Sequence, residues 1–237
     1  MQLLDLSKRL VKSLQLSVAP VSLAFLDEPP PGVPIFDSVV PSACAFWVRA
    51  EKGLFYAKAE SHKNCPVGVL TMGFPLTSKV MSTLDEFVQK MCHASYIGAR
   101  EPEHIPRMSS ARQGILYGPL GHFPVIPDLT LVWVNGRQAM ILEEALGTVC
   151  WDVIKKGEVL GRPACASLAV AANQAKSTVS LGCSGMRTFT GVSDDKILVS
   201  IPGSVLKSLS AGLVNAVQSN SSMLDFYRQH LASFGNS

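Results

Sequence analysis

A segment that occurs twice restricts this chain more than any other feature. The first copy runs Pro41-Ser42-Ala43-Cys44-Ala45, through a short helical and a short extended stretch, to Cys65-Pro66-Val67-Gly68. The second runs Pro163-Ala164-Cys165-Ala166, through similar stretches, to Cys183-Ser184-Gly185. The paired cysteines are 21 residues apart in the first copy and 18 in the second. Each copy follows a strong strand pattern, Val21 to Leu26 and Leu129 to Val134. Two such units predict two similar α/β halves about a pseudo-two-fold axis, covering 17–120 and 121–237 of a single domain over 1–237. Chance likeness in an alanine-rich chain is the competing reading. If the halves are equivalent, Cys65 and Cys183 are counterparts near their interface, a common place for a ligand.

Composition sets the bounds on function. Of 237 residues, 47% are hydrophobic and 16% charged, enough to bury a sizeable core and too apolar for a disordered chain. The net charge of +3, without any arginine- or lysine-rich run, argues against nucleic acid as a partner. No apolar run reaches the roughly 18 residues of a membrane span. Asp5, Lys8, Arg9 and Lys12 interrupt the first turns, so Met1 to Leu16 does not read as a signal peptide. The expectation is a cytoplasmic protein with its six cysteines reduced or acting as ligands. A homo-oligomer is compatible with this composition.

Periodicity places the elements. Leu3, Leu6, Leu10 and Leu14 form a helical stripe. Pro20 to Leu26, Leu54 to Ala59, Gly114 to Leu120, Leu129 to Val134, Ser177 to Leu181 and Lys196 to Ile201 read as strands. Ala45 to Glu51, Cys65 to Met72, Lys79 to His93, Arg137 to Leu146 and Pro163 to Ala172 read as helices. Two further helices are expected at the end, Ser204 to Val217 and Ser221 to Phe234, with Ser221 as a cap. Alternation of these elements predicts an α/β or α+β fold, a mixed sheet flanked by helices.

Cys65-Pro66 carries the strongest chemical suggestion. Proline at the first helical position has no N–H to lose, which places Cys65 at the cap, facing free N–H groups. A thiol there is expected to have a lowered pKa, with Cys65 as nucleophile and His62 as its base. Gly68 follows one turn on. Around Cys183, glycines at 182 and 185 permit close approach of backbone to a ligand, and Arg187 could hold a carboxylate or phosphate. These make Cys183, Gly185, Arg187 and Gly68 the ligand-binding candidates. Buried structural cysteines and an arginine beside a tight turn are the plainer readings of the same residues. Convergence of Cys44, Cys65, Cys165 and Cys183 could hold an iron–sulfur cluster or another soft metal, although no C-x-x-C pair is present. Cys150-Trp151 is most simply core, and Cys92-His93 points two ways from one helix. The glycine-rich, zincin and hydrolase motifs are absent.

In combination these residues resemble a family. The order Cys44…Gly53…His62-x-x-Cys65-x-x-Gly68, then Asp128 to Asn135 with Gln138-Ala139-Met140, then Pro163-x-Cys165-Ala166, Gly182-Cys183-x-Gly185-x-Arg187 and Ile201-Pro202 is similar to DUF169. The resemblance covers about Pro20 to Leu206. It implies a soluble prokaryotic protein and brings no reaction or catalytic role to transfer. The reading is therefore a small-molecule or cofactor-binding protein with a cysteine-bearing pocket between two halves; in an enzymatic version Cys65 is the reactive group. A thiolate-ligated metalloprotein and a non-catalytic accessory protein are the alternatives.

Overall fold

The computed structural model describes residues 2–98, 101–109, 112–148, 159–160 and 162–234. Its chain order is α1 (Leu3–Leu14), β1 (Val21–Leu26), α2 (Ala45–Ala50), β2 (Phe55–Lys58), α3 (Pro66–Thr71), α4 (Ser78–His93), β3 (Gly114–Pro119), β4 (Leu129–Val134), α5 (Gly136–Leu146), β5 (Val159–Leu160), α6 (Ala166–Gln174), β6 (Thr178–Ser180), α7 (Ser184–Thr190), β7 (Ile197–Pro202) and α8 (Leu206–Phe234). The Cys150-Trp151 pair lies outside the described residues.

The strands form one mixed sheet in the order β2-β3-β1-β4-β7-β6-β5. All neighbours run antiparallel except the short edge strand β5, which runs parallel to β6. Outward from the central β1–β4 pair the order repeats: β1, β3, β2 on one side and β4, β7, β6 on the other. The central pair is short, with Val21 opposite Leu131 and Leu23 opposite Leu129. Between them Ser22 and Thr130 share a buried hydroxyl hydrogen bond of 3.1 Å. That pairing satisfies two polar groups that burial would otherwise penalise.

Alternation along the strands feeds two cores. Leu129, Leu131 and Trp133 of β4 face α2, α3, α6 and α7, together with Leu23 and Tyr117. Val132 and Val134 face the opposite side, against Leu6 and Leu10 of α1, Leu142 of α5 and Leu209 of α8. With both faces covered, the strands read as continuous apolar runs, which is why the sequence pattern of Leu129 to Val134 is so strong.

Local signals explain the helix ends. Asn135 and Gln138 form a complete capping box at the start of α5. Gly147 closes that helix in the left-handed conformation at φ 69°. The C-terminus differs from expectation. Ser221 does not open a new helix, because α8 runs unbroken through it. Nothing in 217–222 forbids continuation: there is no proline or glycine, and serine is only a mild helix disfavourer. Only the first half of α8 is buried, through Leu206, Leu209 and Leu213, while Phe226, Tyr227, Leu231 and Phe234 are exposed.

Candidate functional site

On the face of the sheet that carries α2, α3, α6 and α7, four helix starts share one feature. Each has a cysteine at its N-cap: Cys44 for α2, Cys65 for α3, Cys165 for α6 and Cys183 for α7. The sequence pointed to a turn at Cys183 and missed α7, since Gly182 and Gly185 hide a seven-residue helix; the cue was the cysteine–small–glycine pattern shared with Cys65.

All four cysteines line a single cavity of about 170 Å³. The stretch before β3 supplies Cys44, Trp47, Cys65 and Val67, and the stretch after β4 supplies Cys165, Cys183, Gly185 and Met186. Phe87 and Met91 of α4, with Phe189 of α7, complete an apolar wall. Beyond α4, Tyr96 and Ile97 also line it, and the Tyr96 hydroxyl bonds to Ser184 at 3.2 Å, linking the two halves at the start of α7. Arg162 lines it too, with its guanidinium 4.1 Å from the Tyr96 ring centroid.

Burial raises the pKa of three of these thiols, Cys44, Cys65 and Cys165. Burial pushes Cys44 up to about 12, against a hydrogen bond from Ser42 that pulls the other way. Burial also raises Cys65, outweighing the backbone N–H groups of Ala43 and Gly68 that favour its anion. Cys165 is raised well above its ordinary value by burial, and its thiol donates to Thr71 Oγ1 at 3.6 Å. Desolvation of the charged form thus wins over the helix N-terminus. The lowered pKa expected for Cys65 is reversed here, because the cap sits under protein and not at a wet surface. The Cys183 sulfur accepts the Met186 N–H at 3.4 Å.

His62 is not placed as a base for Cys65. It is 1% exposed and packed beside Phe46, Phe74 and Tyr117. The Lys58 carbonyl can only accept, so Nδ1 donates to it at 2.9 Å. Nε2 is then left to accept the Tyr117 hydroxyl at 3.0 Å. Both nitrogens are engaged, and burial lowers the ring's pKa to about 4, keeping it neutral. The only polar contact running to Cys65 is through the backbone, where the Cys65 N–H donates to the His62 carbonyl at 2.9 Å.

Arg187 is likewise committed. Its guanidinium donates to the carbonyls of Leu181 (2.8 Å), Ser193 (3.0 Å) and Lys196 (3.1 Å), and pairs with Asp194 at 3.6 Å. It pins the loop between α7 and β7 and does not line the cavity. Gly68 is also off the wall, beneath the start of α3. A side chain there would place its Cβ 2.6 Å from the Ala43 Cβ and 2.9 Å from the Cys65 sulfur. Of the expected ligand-binding residues, Cys183 and Gly185 lie on the cavity and Arg187 and Gly68 serve packing.

The alternative reading is a soft metal held by Cys44, Cys65, Cys165 and Cys183. Among the described residues no three of His, Cys, Asp or Glu are grouped so as to hold an ion. The four cysteines surround a space without converging on a point.

Residues 9–212 match the family model DUF169, described as uncharacterised ArCR. No curated protein and no solved structure matches the chain.

Proposed function

The chain belongs to the DUF169 family, and we propose that it is a small-molecule-binding protein whose ligand occupies the cavity between the two halves. The observation that carries this reading is the convergence of four cysteine-capped helix starts, two from each half, on one apolar space of about 170 Å³. Engineered cavities of about 150 Å³ admit a benzene ring. In this reading Cys65, Cys183 and Gly185 are contact groups, the sulfurs acting as soft apolar surface and not as nucleophiles. Arg187 and Gly68 shape the wall from behind. We also read the halves as copies of one unit, a view supported by the matching strand order about β1–β4 and by the paired cysteine caps.

Methionine-methyl NMR tests the site. Met91 and Met186 line the cavity, whereas Met140 is exposed on α5 across the sheet. Indole titrated into the full chain should shift the Met91 and Met186 methyls saturably and leave Met140 unmoved. Shifts that grow without saturation, or that include Met140 equally, would overturn the reading.

A further inference from the structure

The charge around this cavity is of one sign among the described residues. Arg162 is the only charged residue on the described wall, and no carboxylate accompanies it there. It is exposed, lying at the rim while the apolar residues fill the interior. Its guanidinium carbon lies over the Tyr96 ring, 4.1 Å from the centroid, a contact with the π face that uses none of its N–H donors in a conventional hydrogen bond. No ion pair or hydrogen bond occupies that guanidinium among the described residues. Arg187, in contrast, has every arm engaged by carbonyls and Asp194. Deeper in, Trp47 is fully buried on the wall and its Nε1–H has no hydrogen-bond partner among the described residues. Among the described residues, a rim that offers a cation beside an apolar interior, with no carboxylate to pair it, favours a ligand that brings an anionic acceptor.

We infer that the ligand is an apolar molecule bearing a carboxylate or similar anionic group, its body in the cysteine-lined cavity and its anion held by Arg162 at the rim. The inference rests on the cavity being a binding site. Tyr96 positions the guanidinium in two ways: its ring supports the cation, and its hydroxyl is bonded to Ser184 of α7, fixing the ring itself. The planar fork can then meet a carboxylate bidentately, which a lysine could not.

The test compares phenylacetate with its neutral isostere phenylacetamide on the full chain, read by the Met91 and Met186 methyl shifts and by calorimetry. Phenylacetate should bind about tenfold or more tightly than the amide, the size expected for a charge-assisted hydrogen bond. Arg162→Gln should remove that preference, bringing phenylacetate down to the affinity of the amide. Because Arg162 is exposed, the variant is expected to fold, which the unperturbed Met140 methyl checks. Arg162→Lys should recover only part of the preference. Equal affinity of the two probes, or an unaltered preference in Arg162→Gln, overturns the anion inference while leaving the cavity reading standing. If indole, phenylacetate and phenylacetamide all fail to shift Met91 and Met186, both readings fall.

Discussion

The helix starts at Cys65 and Cys183 share a local plan and differ in what surrounds them. At Cys65 the start of α3 is sealed: Gly68 has no room for a side chain, and His62 behind it is locked between Lys58 and Tyr117. At Cys183 the start of α7 is half open. Gly185 faces the cavity, where an added Cβ would meet only Phe189 at 3.9 Å, and Arg187 clamps the following loop. Each half therefore places a titratable side chain close to its capping cysteine, and in each half that side chain serves architecture. A cysteine cap with a nearby cation or imidazole is a reactive-site pattern only when solvent and substrate can reach both groups.

The largest difference should appear in pH dependence. His62 has a folded-state pKa of about 4 against 6.5 for an unperturbed ring. Its contribution is therefore whole above pH 6.5 and is lost as pH falls toward 4, amounting to about 3 kcal/mol. Urea unfolding of the wild type at pH 7.5 and 4.5 should show that loss. His62→Asn should be less stable by about 2–4 kcal/mol at pH 7.5, because Tyr117 and the Lys58 carbonyl lose their partners, and its pH dependence should be correspondingly flatter. An unchanged pH dependence in the variant would show that the ring is not held neutral.

The glycines come next. Gly68→Ala forces a Cβ against Ala43 and Cys65 and should cost about 2 kcal/mol by calorimetry. Gly185→Ala should stay within about 0.5 kcal/mol, because the space is open. Equal costs would erase the distinction between sealed and open starts. Arg187→Ala should cost about 1–2 kcal/mol and raise hydrogen exchange in the loop 191–196, without altering probe shifts at Met186. A lost probe response there would return Arg187 to the binding site. The smallest effect concerns the thiol itself. Cys65 should react with iodoacetamide about tenfold more slowly in the folded chain at pH 8 than in the unfolded chain, with its rate still climbing above pH 9. A rate that levels off below pH 8 would restore the activated thiolate.

Much of the fold was legible because its signals are local. The six-residue run Leu129 to Val134 is β4 to the residue, and Cys65-Pro66 marks the start of α3 as proline geometry requires. The stripe Leu6, Leu10 and Leu14 faces the core as its spacing implies. The repeated cysteine segments correspond to paired helix starts in both halves. Two local misreadings, the missing α7 and the split of α8, came from weighting glycine and serine as breakers where neighbouring packing overrode them.

The site divides along the same line. From the residues alone came the four cysteines, the cap at Cys65, and the likeness of two segments far apart in the chain. Their pattern is covalent and short-ranged, so one sequence can carry it. Only the tertiary structure decided that the four cysteines line one cavity, and that burial raises the Cys65 thiol where the helix start alone would lower it. It also decided that His62 and Arg187 are consumed by carbonyls and Tyr117, while Arg162, which no motif marked, holds the open rim. Charge state and hydrogen-bond availability depend on desolvation and on partners far away in sequence, and folding alone brings those partners into place.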